Sequence, residues 1–351
     1  MKELEIGCTN KAVNERYTVQ DVAKRAGVHA STVSRALNPA TRHRLSEEVA
    51  ARVIAAAAEL GYVPNGLAAS LRTRRSETIG VVLPDITNPV FPPILQGLEA
   101  VLAEERYVAM VANAGSDNDR QRLVIERLLA RQVDGLVLAT VTRHDAIVDQ
   151  CLKAGVPLVV VNRSEADHRV SSVVSDDLRG MRLAVDHLYG LGHRRIGHLG
   201  GPQNLSTGKG RLEGFLSAAR DHGLDPASSD LELASGFSRE AGREAAFRLL
   251  EHAPDLTGVV VANDLLALGL YDVLAARGLS CPGHLSVVGH NDMPFVDMVS
   301  PPLTTVRIRH REMGEQAAQL LLRLVRGEAQ GGVDVVLKPD LVVRASTAAP
   351  R

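Results

Sequence analysis

The chain has 351 residues, which exceeds the usual size of one domain and predicts two or three domains. Hydrophobic residues make up 45% and charged residues 23%, an ordinary composition for a globular protein with a sizeable core. The net charge of −1 excludes a uniformly basic protein, but the charges are unevenly spread. Residues 18–75 carry nine Lys and Arg against four Asp and Glu, hence +5, and leave −6 for the rest. This split indicates contact with phosphates at one end only.

The cysteines and the first residues indicate the compartment. Cys8, Cys151 and Cys281 are widely spaced, form no metal or redox pattern and favour a reducing cytoplasm. Residues 1–17 are polar and charged, so we expect a disordered lead-in rather than a signal peptide. No apolar run approaches the roughly 18 residues of a membrane helix. We therefore expect a cytoplasmic protein without a membrane partner, and we predict no cofactor, metal or catalytic residue.

Residues 18–38 predict two short helices joined by a tight turn. Thr18 can cap the first helix, with Asp21 three residues on as in a capping box. Gly27 stands where the chain must reverse, and His29 to Leu37 forms the second helix. Its outward positions are predicted to be Ala30, Ser31, Ser34 and Arg35, which suit the DNA major groove. The alternative is any pair of amphipathic helices, and this stretch alone leaves both open.

A third helix and a linker follow. Ser46 is expected to cap the helix and Gly61 to end it, which completes an all-α helix-turn-helix domain over residues 18–63. Its predicted buried stripe is Val49, Val53, Ile54, Ala57 and Leu60. Residues 64–77 predict a hinge helix and linker, in which Leu71 either wedges into the minor groove or tucks against the body.

From residue 78 the chain alternates short apolar runs with helical segments. This alternation predicts an α/β body with parallel sheets, helices on both faces and two lobes. A ligand cleft is expected at the carboxyl ends of the strands. The strands are predicted at 79–83, 108–112, 135–139, 157–161, 170–174, 196–199, 231–233, 258–262 and 285–289, and the helices at 93–105, 119–131, 179–189, 208–222, 239–251 and 265–277.

Over residues 18–347 the chain resembles the lac-repressor (LacI/GalR) family of transcription regulators. The motifs that carry the resemblance are TVQDVAKRAGVHASTVSRALN (18–38), Tyr62-x-Pro-Asn-x-x-Ala-x-x-Leu71, LPDITNP (83–89), GHRRIG (192–197), Arg211-x-x-Gly-Phe215, Ala262-Asn-Asp264 and PLTT (302–305). The resemblance implies a homodimer on double-stranded operator DNA, with a hinge helix and a periplasmic-binding-protein-like body for effector binding and dimerisation (78–347). It implies three crossings near Ser175, Val306 and Leu337, hence lobes of 78–175 with 307–337 and 176–306 with 338–347.

The resemblance also implies the DNA contacts. The residues implied to contact base edges are Ala30, Ser31 and Arg35. Because the Ala30 side chain is small and has no polar group, Ser31 and Arg35 are expected to make most of these contacts. His29 departs from the family's usual Ser or Thr, which weakens the helix cap and leaves a possible DNA contact. Leu71 takes the role of the minor-groove lever. The remaining implied DNA-binding residues are Thr18, Thr32, Ser34, Asn38, Asn65 and Ala68.

The strongest candidate for effector binding is Arg211, whose guanidinium offers a fork of donors to a carboxylate or to hydroxyls; a surface ion pair is the alternative. Asn291 stands where the family often has Asp, which points to an effector with more acceptors or a negative charge. Phe237 and Phe91 match aromatic cleft positions, although core packing remains open for Phe91. The other candidates are Asp85, Asn162, Ser206, Thr207 and Asn263, whereas Asp264 is expected to be a structural cap. The expected effector is a sugar or a sugar acid.

Two other classes of protein fit the sequence less well than a transcription regulator. A dinucleotide enzyme is disfavoured because the glycines of 190–201 precede a strand instead of following one. His193 and His198 lack the spacing of metal ligands on a helix. A transport-type binding protein would share the body but carry a secretory signal and no helix-turn-helix. With no leucine heptad at the C-terminus, a dimer is expected rather than a tetramer. The sequence thus predicts a ligand-responsive repressor.

Overall fold

The structure, a computed structural model, describes residues 17–63, 75–115, 117–329 and 331–351. The chain divides into two compact units, residues 1–74 and 75–351. None of the helices in these described ranges is long and apolar enough to cross a bilayer.

The first unit is a small helical head. Its helices are α1 (Val19–Ala26), α2 (Ala30–Leu37), the single turn α3 (Pro39–Arg42) and α4 (Glu47–Glu59). The predicted capping box is confirmed, because Asp21 Oδ2 accepts the Thr18 backbone N–H at 2.8 Å. Gly27 adopts the left-handed conformation (φ +65°) that ends α1, as the turn requires. The core of the head is built from Val22, Ala23, Ala26, Val33, Ala36, Val53, Ala56 and Ala57.

One prediction for the head is wrong. Ile54 was expected in the buried stripe of α4, but 38% of it is exposed. At 100° per residue, the inward face of α4 instead runs through Ala50, Val53 and Ala57. Small alanines on this face let α4 pack closely against α1 and α2.

The second unit contains two six-stranded sheets. In the first sheet all neighbours are parallel, in the order β11-β5-β4-β3-β1-β2. Its strands are β1 (Thr78–Leu83), β2 (Val108–Asn113), β3 (Gly135–Leu138), β4 (Leu158–Val161), β5 (Ser171–Ser175) and β11 (Asp334–Leu337). The second sheet has the order β12-β10-β9-β8-β6-β7, with β12 antiparallel to β10. Its strands are β6 (Ile196–Gly200), β7 (Leu231–Leu233), β8 (Gly258–Val261), β9 (Ser286–Asn291), β10 (Thr304–Arg307) and β12 (Asp340–Val342).

Helices connect and cover these sheets. They are α5 (Phe91–Glu104), α6 (Asn118–Ala130), α7 (Ala146–Ala154), α8 (Asp177–Gly190), α9 (Ser206–Asp221), α10 (Arg239–His252), α11 (Asp264–Ala276) and α12 (His310–Val325), with a short 3₁₀ turn at Ser228–Asp230. The chain passes from the first sheet to the second after β5 and again after β11, and returns to the first after β10. The predicted α/β class is confirmed, and each predicted strand and helix lies within about two residues of an observed one. The prediction had omitted α7, α12, β10, β11 and β12.

Candidate functional site

The outer face of α2 presents small polar groups and one cation. Ser31, Ser34 and Arg35 are exposed, and Thr32 and Asn38 are half-buried. Ala30 differs from the expectation that it faces outward: it is half-buried and packs against the core of the head. The exposed hydroxyls and guanidinium on a short helix have the chemistry that reads base edges in a major groove.

His29 caps α2, contrary to the expectation that it would weaken the cap. Its Nδ1 accepts the backbone N–H of Ser31 at 3.2 Å and lies 2.9 Å from the Ser31 hydroxyl oxygen. An imidazole nitrogen with a free lone pair can replace the usual side-chain oxygen of a cap, provided that the ring proton sits on Nε2. Thr18 likewise caps α1 from an exposed position. The candidates Asn65, Ala68 and Leu71 lie outside the described residues.

The second unit has a cleft between its two lobes. It is lined by Asn88, Val90, Phe91, Asn162, Arg163, Thr207, Arg211, Phe237, Asn263 and Asn291. Asn162 follows β4 and Asn291 ends β9, so both lie at the carboxyl ends of parallel strands, as the fold predicts. Both adopt positive φ (+66° and +112°), which asparagine tolerates better than most residues. The free volume is only about 20 Å³, so the cleft is closed.

Arg211 is held inside the cleft by three acceptors and is only 3% exposed. Its Nε donates to Asp177 Oδ1 at 2.9 Å, and Nη1 donates to the Ala262 carbonyl at 2.6 Å. Its Nη2 donates to Asn291 Oδ1 at 3.4 Å. The guanidinium carbon lies 5.9 Å from the ring centroid of Phe237, within reach of a cation–π contact. Arg211 is therefore a buried, oriented cation and not the surface ion pair that the sequence left open.

Buried ionisable groups lie behind Arg211. Burial raises the pKa of Asp177, although the Arg211 charge acts in the opposite direction. His290 is fully buried with Nε2 3.5 Å from Asp177 Oδ1, and burial holds its pKa well below the ordinary value. Burial likewise lowers the pKa of His198 to about 4. These histidines are neutral at pH 7, so they add no positive charge beside Arg211.

Both parts of the chain are similar to known families of proteins. Residues 18–65 match the model of bacterial regulatory proteins of the lacI family, and residues 185–347 match a periplasmic binding protein-like domain. The transcriptional regulator DegA of Bacillus subtilis (strain 168) is 32% identical over 95% of this chain and 98% of its own length. The chain belongs to the lacI family. It is thus a DNA-binding transcription regulator with an effector-binding body.

Two solved structures of lacI-family proteins are similar over nearly the whole chain. The lac repressor dimer bound to operator and the anti-inducer ONPF has a TM-score of 0.85 and 28% identity, and covers 95% of this chain and 100% of its own. A complex of the transcriptional regulator CelR with cellobiose has a TM-score of 0.73 and 32% identity, and covers 94% of this chain and 100% of its own.

In this lacI-family chain the cleft unites most of the predicted effector residues. Phe91, Asn162, Thr207, Arg211, Phe237, Asn263 and Asn291 line it together. Phe91 also belongs to the hydrophobic core, so core packing is confirmed for it, and its role toward an effector stays a prediction. Asn263 has a second task, because its Oδ1 caps α11 by accepting the Leu266 N–H at 2.8 Å. Asp264, expected to be the cap, is instead fully buried and accepts from Thr305 Oγ1 at 2.6 Å.

Two predicted effector residues lie outside the lining. Asp85 is exposed, and its carboxylate accepts from the Thr87 N–H and hydroxyl at 2.9 and 2.7 Å, which shapes the turn after β1. Ser206 joins the lobes: its Oγ accepts the Ser164 N–H at 2.9 Å. Each of the two side chains thus has a contact within the protein instead of a place in the lining.

Three lining residues were missed by the sequence analysis: Asn88, Val90 and Arg163. Arg163 directly follows Asn162 at the end of β4, so the strand-end rule that selected its neighbour covers it as well. Asn88 and Val90 precede α5 within and just after the LPDITNP motif. The motif had drawn attention to Asp85, three residues too early.

Proposed function

We propose that this regulator is a repressor that binds a pseudo-palindromic operator as a homodimer and responds to a small molecule held between its lobes. The observation that carries the proposal is the outer face of α2, where Ser31, Ser34 and Arg35 are exposed on a helix fixed by caps and a packed core. Base-edge readout needs such preorganised donors. Residues 64–71 would contact the minor groove, with Leu71 as the wedge.

Exposed apolar side chains support self-association of the second unit. β2 ends the first sheet, and its Val108 is 66% exposed. Phe295 and Met298 of the second lobe are 72% and 76% exposed. Apolar groups of this size at an open strand edge and on a loop are typical of protein interfaces. A second copy of the chain is the partner that the operator symmetry requires.

The closed cleft supports control by a ligand. Lobe contacts such as Ser164 with Ser206 hold it shut, and about 20 Å³ of free space admits little more than water. An effector therefore binds a more open arrangement of the lobes and shifts the population toward it. The CelR complex contains cellobiose. We infer that a sugar or a sugar-derived metabolite occupies the corresponding cleft here.

The test begins with selection of an operator from random duplex DNA. Fluorescence anisotropy then compares Arg35→Ala with Arg25→Ala, which removes the same charge from an exposed pair with Glu59. Loss of a bidentate base contact is expected to weaken specific binding by about 1–3 kcal/mol and leave nonspecific binding nearly unchanged. Arg25→Ala is expected to behave like the wild type. If no duplex is enriched, or if both variants bind the operator equally, the proposed readout is wrong.

A further inference from the structure

The lining of the cleft is positively charged from both sides. Arg163 comes from the first lobe and Arg211 from the second, and the described lining residues include no Asp or Glu. The Asp177 carboxylate contacts Arg211 Nε from outside the lining. Asp177 therefore partners Arg211, whereas Arg163 has no ion pair with an acidic residue in the described part of the chain.

Arg163 is a half-buried cation whose Nε is itself buried. Within the described part of the chain its hydrogen bonding is limited to a 3.5 Å contact from Nη1 to the Thr140 carbonyl, and its buried Nε has no partner there. Burial, together with the charge of Arg211, lowers the pKa of Arg163 to about 10, which leaves it charged at neutral pH. A charge that is partly removed from water and has no counter-ion is unfavourable, and an anion brought beside it relieves that penalty.

The N-terminus of α9 adds neutral donors at the same place. Its N-cap residue, Leu205, offers no side-chain hydrogen bond, and the first turn has no acidic residue. Thr207 in that turn lines the cleft, is 3% exposed, and its hydroxyl has no partner among the described residues. Arg211 follows one turn later on the same helix. Uncapped N–H groups and the helix dipole attract negative charge.

We propose that the effector of this cleft carries an anionic group, a carboxylate or a phosphate, which binds Arg163, the Thr207 hydroxyl and the N-terminus of α9. Arg211 stays on Asp177 and the Ala262 carbonyl and adds its charge from one side. The proposal rests on the proposed function, because it takes the cleft to be the effector site. It excludes a neutral sugar as the preferred ligand.

Inorganic phosphate tests the anion site without knowledge of the effector. The melting temperature of the full chain is measured in phosphate and in chloride at equal ionic strength. Phosphate is expected to raise the melting temperature of the wild type and of Arg131→Met, an exposed control at the end of α6. Arg163→Met is expected to lose most of that increment. Because the substitution removes an unpaired, half-buried charge, the variant should fold, and its melting curve in chloride checks this. An equal increment in Arg163→Met overturns the proposal.

Matched ligands identify the source of the anion. Calorimetry compares glucose with gluconate and glucose 6-phosphate, and ribose with ribose 5-phosphate. Tighter binding of an acid than of its neutral parent, lost about 10-fold or more in Arg163→Met, supports the site, and the two acids distinguish carboxylate from phosphate. If a neutral sugar binds as tightly as its acids and Arg163→Met leaves its affinity unchanged, the anion proposal falls while the effector function stands. A bound ligand that leaves operator affinity unchanged contradicts the effector function instead.

Discussion

Replacement of Thr207 by valine is expected to change stability and ligand affinity in opposite directions. The Thr207 hydroxyl is buried and has no partner among the described residues, so the folded protein without ligand carries its desolvation penalty. An unsatisfied buried polar group costs about 1–3 kcal/mol. Valine keeps the shape and removes this group. We therefore expect the free energy of unfolding to rise by about 1 kcal/mol, the lower end of that range.

The same substitution is expected to weaken the binding of an anionic effector. A hydrogen bond to a charged group contributes about 1.5–3 kcal/mol, so its loss corresponds to roughly 10- to 100-fold weaker binding. Urea denaturation gives the first quantity and calorimetry the second. The sign of each effect follows from one premise: the hydroxyl has no partner among the described residues, and the proposed ligand supplies one.

Thr140→Val is the matched control. The Thr140 hydroxyl is also buried without a partner among the described residues, but its side chain does not line the cleft. Thr140→Val is expected to raise stability by a similar amount and to leave ligand affinity unchanged. If Thr207→Val is less stable than the wild type, or if it binds the ligand as tightly as the wild type, the predicted role of the Thr207 hydroxyl is wrong.

Three further predictions concern stability. Burial lowers the pKa of His198 to about 4, below the value near 6.5 of an unfolded histidine. The stabilisation that comes from keeping His198 neutral is therefore present above pH 6.5 and lost as the pH falls toward 4. Between these pH values the free energy of unfolding of the wild type should fall by about 3 kcal/mol more than that of His198→Asn. If urea denaturation shows the same pH dependence of stability for both proteins, the prediction is wrong. Gly314→Ala would place a Cβ 1.9 Å from the Ile94 carbonyl oxygen, so α5 and α12 must separate, and stability should fall by about 1–3 kcal/mol; unchanged melting would be the contrary result. His29→Ala removes the cap of α2 and should lower local stability by about 1 kcal/mol, seen as faster amide exchange of Ser31; equal exchange rates would exclude the cap.

The architecture was predictable because its signals are local. Apolar runs such as Ile79 to Leu83 are buried on both faces of a parallel sheet, and short apolar segments alternate with helices over most of the second unit. The last two strands, β11 and β12, were omitted from the prediction for a different reason. β11 pairs with β5 and β12 with β10, and their burial is only partial, so long-range pairing rather than apolar content defines them.

The candidate site was predictable only as far as strand ends and motifs reach. The rule that ligands bind at the carboxyl ends of strands located Asn162 and Asn263, and it would have included Arg163. Asn291 was located by its position in the family resemblance. The sequence does not show which of these polar side chains already form hydrogen bonds within the protein. The Ser206 Oγ accepts the Ser164 N–H across the lobes, and the Asp85 carboxylate accepts from Thr87, and neither residue belongs to the lining of the cleft. The cap formed by His29 was missed because rules for caps name oxygen acceptors, whereas an imidazole nitrogen serves here.

We propose that the binding of an anionic effector in the cleft is coupled to the binding of operator DNA by the head. The most direct test is the affinity of the wild type and of Arg163→Met for the selected operator, measured by anisotropy with and without a saturating acid identified by calorimetry. Linkage requires that operator DNA change the affinity for the acid by the same factor as the acid changes operator affinity. We expect a change of about 5-fold or more in the wild type, with the same factor in both directions, and at a fixed acid concentration a much smaller one in Arg163→Met. Operator affinity that is independent of the bound acid would contradict the claim.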